Sequence, residues 1–243
     1  MNMKRIIIII IDFIFKQINK CTKLHIYLRY KYFTNTDDHI WTTIEYLKNN
    51  YKKSHTIIDI GAANGDTSIA FAKAFPKSKV IAYEPIPHLY NIALKKTSSY
   101  KNILLRNIAL SDEKGIKSLN VTSNYVSTSL LDIGKEMYDN VEVINKLDIQ
   151  IDRLDNEISN FEEISLIKID VQGVEKLVLS SGLDILRNTD LILTEMSIAN
   201  QYVGGCLYYE LDEFLRINRF KLIGLFNKQP GFIEYDALYE RVK

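Results

Sequence analysis

At 243 residues, 47% hydrophobic and 25% charged, the chain has the make-up of one folded domain with a full core plus an appendage. Its net charge of +1 is uneven: seven basic residues (Lys4, Arg5, Lys16, Lys20, Lys23, Arg29, Lys31) against Asp12 alone leave residues 1–35 at +6 and the remainder at −5, which argues against nucleic acid as the partner of a site that would need a basic stripe. Cys21 and Cys206 form neither a Cys-x-x-Cys metal site nor a three-cysteine cluster, so iron–sulfur radical chemistry is excluded and a reducing, cytoplasmic setting fits.

In chain order, Lys4-Arg5 leads the run Ile6–Ile11, which Asp12 interrupts before Phe13-Ile14-Phe15. The run is about half of the ~20 apolar residues that cross a bilayer, and no small-residue cleavage site follows it, so neither a span nor a signal peptide is expected. Two readings remain: a helix packed on the catalytic domain or on a second copy of the chain, or an interfacial helix lying on the inner face of a membrane. Residues 36–53 read as a helix, with Ile40, Ile44 and Leu47 at helical spacing, Asp37 or Asp38 as cap, and Trp41 as a core residue rather than part of a substrate wall. The chain is therefore divided into a basic, apolar extension over 1–53 and a domain over 54–243.

That domain opens with Ile57, Ile58 and Ile60 around Asp59, a buried parallel strand, followed by Gly61-Ala62-Ala63-Asn64-Gly65-Asp66. The glycines let the chain turn sharply into a helix at about 67–75 and let backbone approach a ligand, with the first N–H groups of the helix facing it. A dinucleotide fingerprint begun at Gly61 needs glycines where Ala63 and Asp66 stand, and a P-loop needs Gly-Lys-Ser/Thr. What remains is S-adenosylmethionine, weighed against glycines that merely shape the turn. The second strand, Val80–Tyr83, ends in Glu84-Pro85, and a carboxylate about 20 residues past a glycine turn is placed to accept both ribose hydroxyls. Asp59 wants a cation, which the ammonium and sulfonium of that cofactor provide.

A helix over 88–97 and a strand over 103–106 follow, and Asn107 to Leu110, with Ala109, flank the adenine. Strands at 116–121 and 147–151 enclose an irregular segment carrying Ser127-Thr128-Ser129, read as a substrate-covering loop. Residues 166–169 form a buried strand that runs through Asp170-Val171-Gln172-Gly173-Val174-Glu175 into a helix over 176–181. Residues 191–194 form the next strand, ending in Glu195. Asp170 and Glu195 thus stand at the carboxyl ends of adjacent strands, where open α/β sheets bind ligands. Tyr202, Tyr208 and Tyr209 flank Gly204-Gly205 as an aromatic segment near the same rim, at least one of them buried. A helix at 208–218, a strand at 220–226, a turn at 227–231 and a last strand at 233–239 close the sheet with an antiparallel hairpin.

Residues 56–198, and more loosely to 240, resemble the FkbM family of S-adenosylmethionine-dependent methyltransferases. The resemblance is carried by Ile58-Asp59-Ile60-Gly61-Ala62-Ala63-Asn64-Gly65, Ala82-Tyr83-Glu84-Pro85, Asn107-Ile108-Ala109-Leu110-Ser111, Leu154-Asp155 and Ile167-Lys168-Ile169-Asp170-Val171-Gln172-Gly173-Val174-Glu175. The family's usual Asp-Val-Glu-Gly reads Asp-Val-Gln-Gly here. The resemblance implies an α/β class I methyltransferase fold, Rossmann-like, with a mostly parallel, roughly seven-stranded sheet, helices on both faces and a C-terminal antiparallel hairpin. It also implies O-methylation of a hydroxyl on a sugar, glycan, polyketide or related secondary metabolite. Cofactor contacts fall on Asp59, Gly61, Ala62, Asn64, Gly65, Glu84, Pro85, Asn107 and Ala109. Because an alcohol does not lose its proton unaided, Asp170, Glu195 and Glu175 are the catalytic candidates, with a helix-start role the alternative for Glu175. A divalent metal held by Asp170 and Glu195 is the less favoured route to the same end. The rival readings are a non-catalytic cofactor-fold binding protein and a methyltransferase acting on nucleic acid or protein; for nucleic acid the element that grips an extruded base is missing.

Overall fold

The computed structural model describes residues 38–51, 55–138, 140–158, 163–226 and 233–242. The basic segment 1–35 and the turn at 227–231 lie outside the described residues. The chain divides into compact units at 1–42 and 43–243, the first described only over 38–42. Helix α1 (Asp38–Asn50) buries Ile44 and Leu47, but Trp41 is 54% exposed, so the core position expected for it is corrected. The hydroxyls of Tyr46 and Tyr51 donate to Glu240 at 2.8 and 3.1 Å.

The main sheet is built from β1 (Thr56–Ile60), β2 (Val80–Tyr83), β3 (Ile103–Arg106), β7 (Ile164–Ile169), β8 (Thr189–Ser197), β9 (Phe220–Phe226) and β10 (Glu234–Arg241), in the order β3-β2-β1-β7-β8-β10-β9. The first five strands are mutually parallel, and β10 runs antiparallel to both β8 and β9. Every residue of β1 and β7 is buried, as expected for central parallel strands covered on both faces. Ile57, Ile58, Ile167 and Ile192 are sealed completely, each contributing roughly 1.5–3 kcal/mol by leaving water.

From β1 the chain moves outward through α2 (Asp66–Ala74) and α3 (Pro87–Thr97). From β7 it moves the opposite way through α5 (Glu175–Ser180) and α6 (Leu183–Arg187), after the single turn α4 (Leu154–Glu157). Right-handed crossovers taken in opposite directions put the two helix sets on opposite faces and open a crevice beyond the carboxyl ends of β1 and β7. Helix α7 (Tyr208–Ile217) packs on β8 and β9.

The strands expected at 116–121 and 147–151 are longer, β5 (Gly115–Thr122) and β6 (Val143–Arg153), and they belong to a separate three-stranded sheet with β4 (Ala109–Ser111). β5 and β6 pair antiparallel, and β4 lies parallel to β6, so Ala109 and Leu110 are strand residues as well as part of the cleft wall. Among the described residues no helix is long and apolar enough to cross a membrane.

Candidate active site

A cleft of about 400 Å³ opens at the crevice between β1 and β7. Gly61, Ala63, Glu84 and Pro85 line one end, with Ile86, Leu89, Ala109 and Leu110 as an apolar wall. Asp170, Gln172, Glu195, Glu234 and Tyr138 line the other, and residues 124–130 also line the cleft.

The first end is shaped by the turn after β1. Gly61 has φ +80, and a Cβ there would stand 2.0 Å from the Asp170 carbonyl, so its missing side chain lets β7 close on β1. The amides of Gly61 and Ala62 donate to the Tyr83 carbonyl at 3.0 and 2.9 Å, pinning the turn to β2. Glu84, 4% exposed, accepts from the Ala63 amide on one oxygen and from the Ile86 amide on the other, each at 2.8 Å. Each carboxylate oxygen keeps a second lone pair, so two neighbouring hydroxyls of a ligand can still be accepted. Burial, against those two hydrogen bonds, pushes the Glu84 carboxyl up to about 7.

Several residues expected to touch a cofactor support this end instead. Asp59 is fully buried and absent from the cleft wall; it accepts from Ser68 Oγ at 2.6 Å and faces Lys168 Nζ at 3.6 Å, so its cation comes from the protein and not from a ligand. Ala62 is buried behind the wall. Asn64 Oδ1 accepts from the Asp66 amide at 3.2 Å, and Gly65, φ +86, gives α2 close passage past Ala93 at 3.1 Å. Asn107 donates its amide to the carbonyls of Glu84 and Pro85 at 2.9 and 3.0 Å and holds that corner from outside.

At the other end, β7 and β8 deliver Asp170 and Glu195 side by side, one carboxylate 37% exposed, the other more enclosed. Burial, then the charges of Asp170, Glu234 and Glu175, push Glu195 well above the ordinary carboxylate range. Lys168 Nζ lies 3.9 Å from Asp170 and donates to the Gly61 carbonyl at 2.9 Å. Burial works against its charge, but Asp59 and Asp170 outweigh it and hold the ammonium above its ordinary pKa. Among the described residues no cluster of three or more His, Cys, Asp or Glu is arranged to hold a metal.

Glu175 does not line this cleft. Its carboxylate accepts from the Val171 amide at 3.1 Å and from the Gly173 amide at 3.2 and 3.1 Å, tying down the turn before α5, so the catalytic expectation gives way to the helix-start one. Burial, opposed by such backbone bonds, moves it up to about 7. Tyr202 is buried, while Tyr208 and Tyr209 are half exposed and pack edge to face at 5.6 Å.

The sequence reading missed Glu234, Tyr138 and Gln172. Tyr138 donates to Glu234 Oε2 at 3.3 Å, and Gln201 donates to Glu234 Oε1 at 2.6 Å. Glu234 is the first residue of an antiparallel strand and pairs with Ser197, which brings it to the rim where the parallel strands end. The signal was available: in a closing hairpin the start of the return strand meets the carboxyl end of its neighbour.

A family model described as the methyltransferase FkbM domain matches residues 59–222. The 2-O-methyltransferase NoeI of Sinorhizobium fredii (strain NBRC 101917 / NGR234) is 26% identical over 203 residues, which cover 79% of this chain and 82% of NoeI. Magnesium protoporphyrin IX methyltransferase (ChlM) from Synechocystis PCC 6803, solved with bound S-adenosylmethionine, matches 95% of this chain and 97% of its own at a TM-score of 0.50 and 10% identity. An rRNA methylase from Streptococcus thermophilus matches 87% of this chain and 99% of its own at a TM-score of 0.50 and 13% identity. Such identities show the fold alone, that of the class I methyltransferases.

Proposed function

The chain belongs to the FkbM methyltransferase family, and from that premise we propose that it is an S-adenosylmethionine-dependent O-methyltransferase whose acceptor is a hydroxyl of a sugar, glycan, polyketide or related secondary metabolite. The observation that carries this reading is one cleft with a diol-accepting carboxylate, Glu84, at one end and the pair Asp170 and Glu195 at the other. The similarity to NoeI, a 2-O-methyltransferase, supports oxygen as the acceptor atom.

The residues fit the cofactor: a backbone-pinned Glu84 for a ribose diol, an apolar wall of Ile86, Leu89 and Leu110 for a flat ring, and the close-set backbone at Gly61 and Ala63 between them. When bound, S-adenosylmethionine supplies a methyl group activated by its positively charged sulfur. The chain supplies the rest. Asp170, partly exposed in the cleft, accepts the proton of the acceptor hydroxyl as the oxygen becomes nucleophilic. Glu195, pushed above the ordinary carboxylate range by burial and its acidic neighbours, orients the acceptor beside Asp170. Residues 124–130 line the cleft, and Lys168 fixes the spacing between the glycine turn and Asp170.

The test has two arms. Calorimetry with S-adenosylhomocysteine reads cofactor recognition, and a panel of sugar and polyketide hydroxyls with methyl-labelled cofactor reads transfer. Label on nitrogen or carbon, or on RNA alone, overturns the O-directed reading, and no heat with S-adenosylhomocysteine overturns the cofactor assignment.

A further inference from the structure

Gln172 has no role in the steps above, yet it contacts both carboxylates. Its Nε2 donates to Asp170 Oδ1 at 2.8 Å and to Glu195 Oε2 at 2.6 Å, so the two hydrogens of the amide are divided between two acids. The orientation of the amide is fixed by its other end, where the Tyr202 hydroxyl donates to Oε1 at 2.5 Å; turned over, the carbonyl oxygen would face two carboxylates. Tyr202 is buried, and the Ser127 carbonyl, 3.1 Å from its hydroxyl, is the more distant of two acceptors for its single proton. The Gln172 main-chain carbonyl accepts from Ser129 Oγ at 2.7 Å, and the residue itself is left-handed, φ 58, a conformation that a non-glycine residue keeps only when its surroundings impose it. Ser127 and Ser129 belong to the segment 124–130 that lines the cleft.

We propose that Gln172 is a positioning residue: its amide, clamped by Tyr202 while Ser129 of the 124–130 segment holds its main chain, keeps Asp170 and Glu195 apart and aims them into the cleft, so that the acids are set when that segment is seated. A neutral donor does this without cancelling either charge, which a lysine at the same place would do. The inference rests on the reading of Asp170 as proton acceptor.

Gln172→Leu shortens the side chain by one atom and removes both donors and the acceptor. Two readouts need no acceptor substrate. Carboxyl-carbon NMR of Glu195, which is faced by Lys168 and Asp170 from β7, Glu175 from α5 and Glu234 and Asp236 from β10, is expected to report a titration moved upward by about one pH unit. Hydrogen exchange over residues 127–131 is expected to quicken about tenfold. S-adenosylhomocysteine affinity is expected to stay within about twofold, because Gln172 lies at the other end of the cleft from Glu84. Should Gln172→Leu not fold, Tyr202→Phe, which cuts the clamp and leaves the acids, is expected to quicken the same exchange. Unchanged Glu195 titration and unchanged exchange in a folded variant overturn the proposal. Normal turnover of Asp170→Asn overturns the proton-acceptor reading instead and leaves these two readouts untouched.

Discussion

Lys168 Nζ lies 3.6 Å from Asp59 Oδ1 and donates to the Gly61 carbonyl at 2.9 Å, so one buried ammonium joins β7 to the turn that ends β1. Removing it leaves Asp59 with the Ser68 hydroxyl as a hydrogen-bond partner and takes away the ammonium that faces its charge. Lys168→Met is expected to destabilise the fold by about 3–5 kcal/mol, the scale for stranding a buried charge. Urea unfolding reads the loss, and Asp59→Asn in the same chain is expected to restore part of it. If the double variant is no more stable than Lys168→Met, the two residues are not coupled.

The two glycines of the turn differ in what a methyl group would meet. Gly61→Ala and Gly65→Ala share a strain of about 1–2 kcal/mol for a left-handed residue. Gly61→Ala also forces its Cβ to within 2.0 Å of the Asp170 carbonyl, whereas at Gly65 the nearest atom, Ala93 Cβ, is 3.1 Å away. Gly61→Ala is expected to unfold the protein or part β1 from β7, and Gly65→Ala to fold with a lowered melting temperature. Equal melting temperatures would contradict the close approach at Gly61.

The parallel half of the sheet was legible because its strands are apolar β-branched runs that end at glycine turns or acids, and Asp170, Glu84 and Glu195 stand where those runs stop. The role of Asp59 was not. In a strand buried on both faces no alternation marks which way a residue points, and its partner Lys168 is remote in sequence and adjacent only through the β1–β7 register. Glu175 misled for a different reason: the turn that needs its carboxylate, from Val171 to Gly173, depends on left-handed Gln172 and Gly173, and a left-handed glutamine has no sequence signal. The small sheet was hidden because β4 is three residues long and pairs with β6 across some forty intervening positions.

With Glu84 as acceptor of the ribose diol, cofactor affinity is expected to depend on pH. Its carboxyl titrates at about 7, and ribose hydroxyls donate to the charged form, so below that pH a proton must leave before binding. S-adenosylhomocysteine affinity is expected to be flat above about pH 7 and to fall by up to about tenfold per pH unit below it. Glu84→Gln should flatten that slope, and Glu84→Ala should weaken binding by about 1.5–3 kcal/mol. Stability without ligand runs the other way: because the folded state raises this pKa, Glu84 contributes stability that is full below its ordinary value of 4.5 and lost as pH rises toward 7. The melting temperature of Glu84→Gln should therefore gain on the parent across that interval. Calorimetry across pH in both proteins checks the first claim, and an affinity that ignores pH would remove Glu84 from the ribose.

With Asp170 as the proposed proton acceptor, its substitution is the most direct test of the chemistry. It ends β7, accepts from Gln172 at 2.8 Å, faces Lys168 at 3.9 Å and is open to the cleft, whereas Glu84 sits at the opposite end and Glu175 is spent on the turn. Asp170→Asn keeps the shape of the side chain and removes its capacity to take a proton. Turnover is expected to fall about 10²–10⁴-fold with S-adenosylhomocysteine affinity nearly unchanged, the split that separates a group acting in the chemical step from one that binds cofactor. If the acids instead hold a divalent ion, chelator treatment of the parent should cause a comparable loss that Mg²⁺ reverses. Glu175→Gln serves as the control: it should lower the melting temperature by loosening the Val171–Gly173 turn, with any loss of turnover following the loss of fold. An Asp170→Asn enzyme with full turnover, or one that loses S-adenosylhomocysteine as badly as Glu84→Ala, would place the proton acceptor elsewhere in the cleft, with Glu195 and Glu234 the carboxylates left on its wall beyond Glu84.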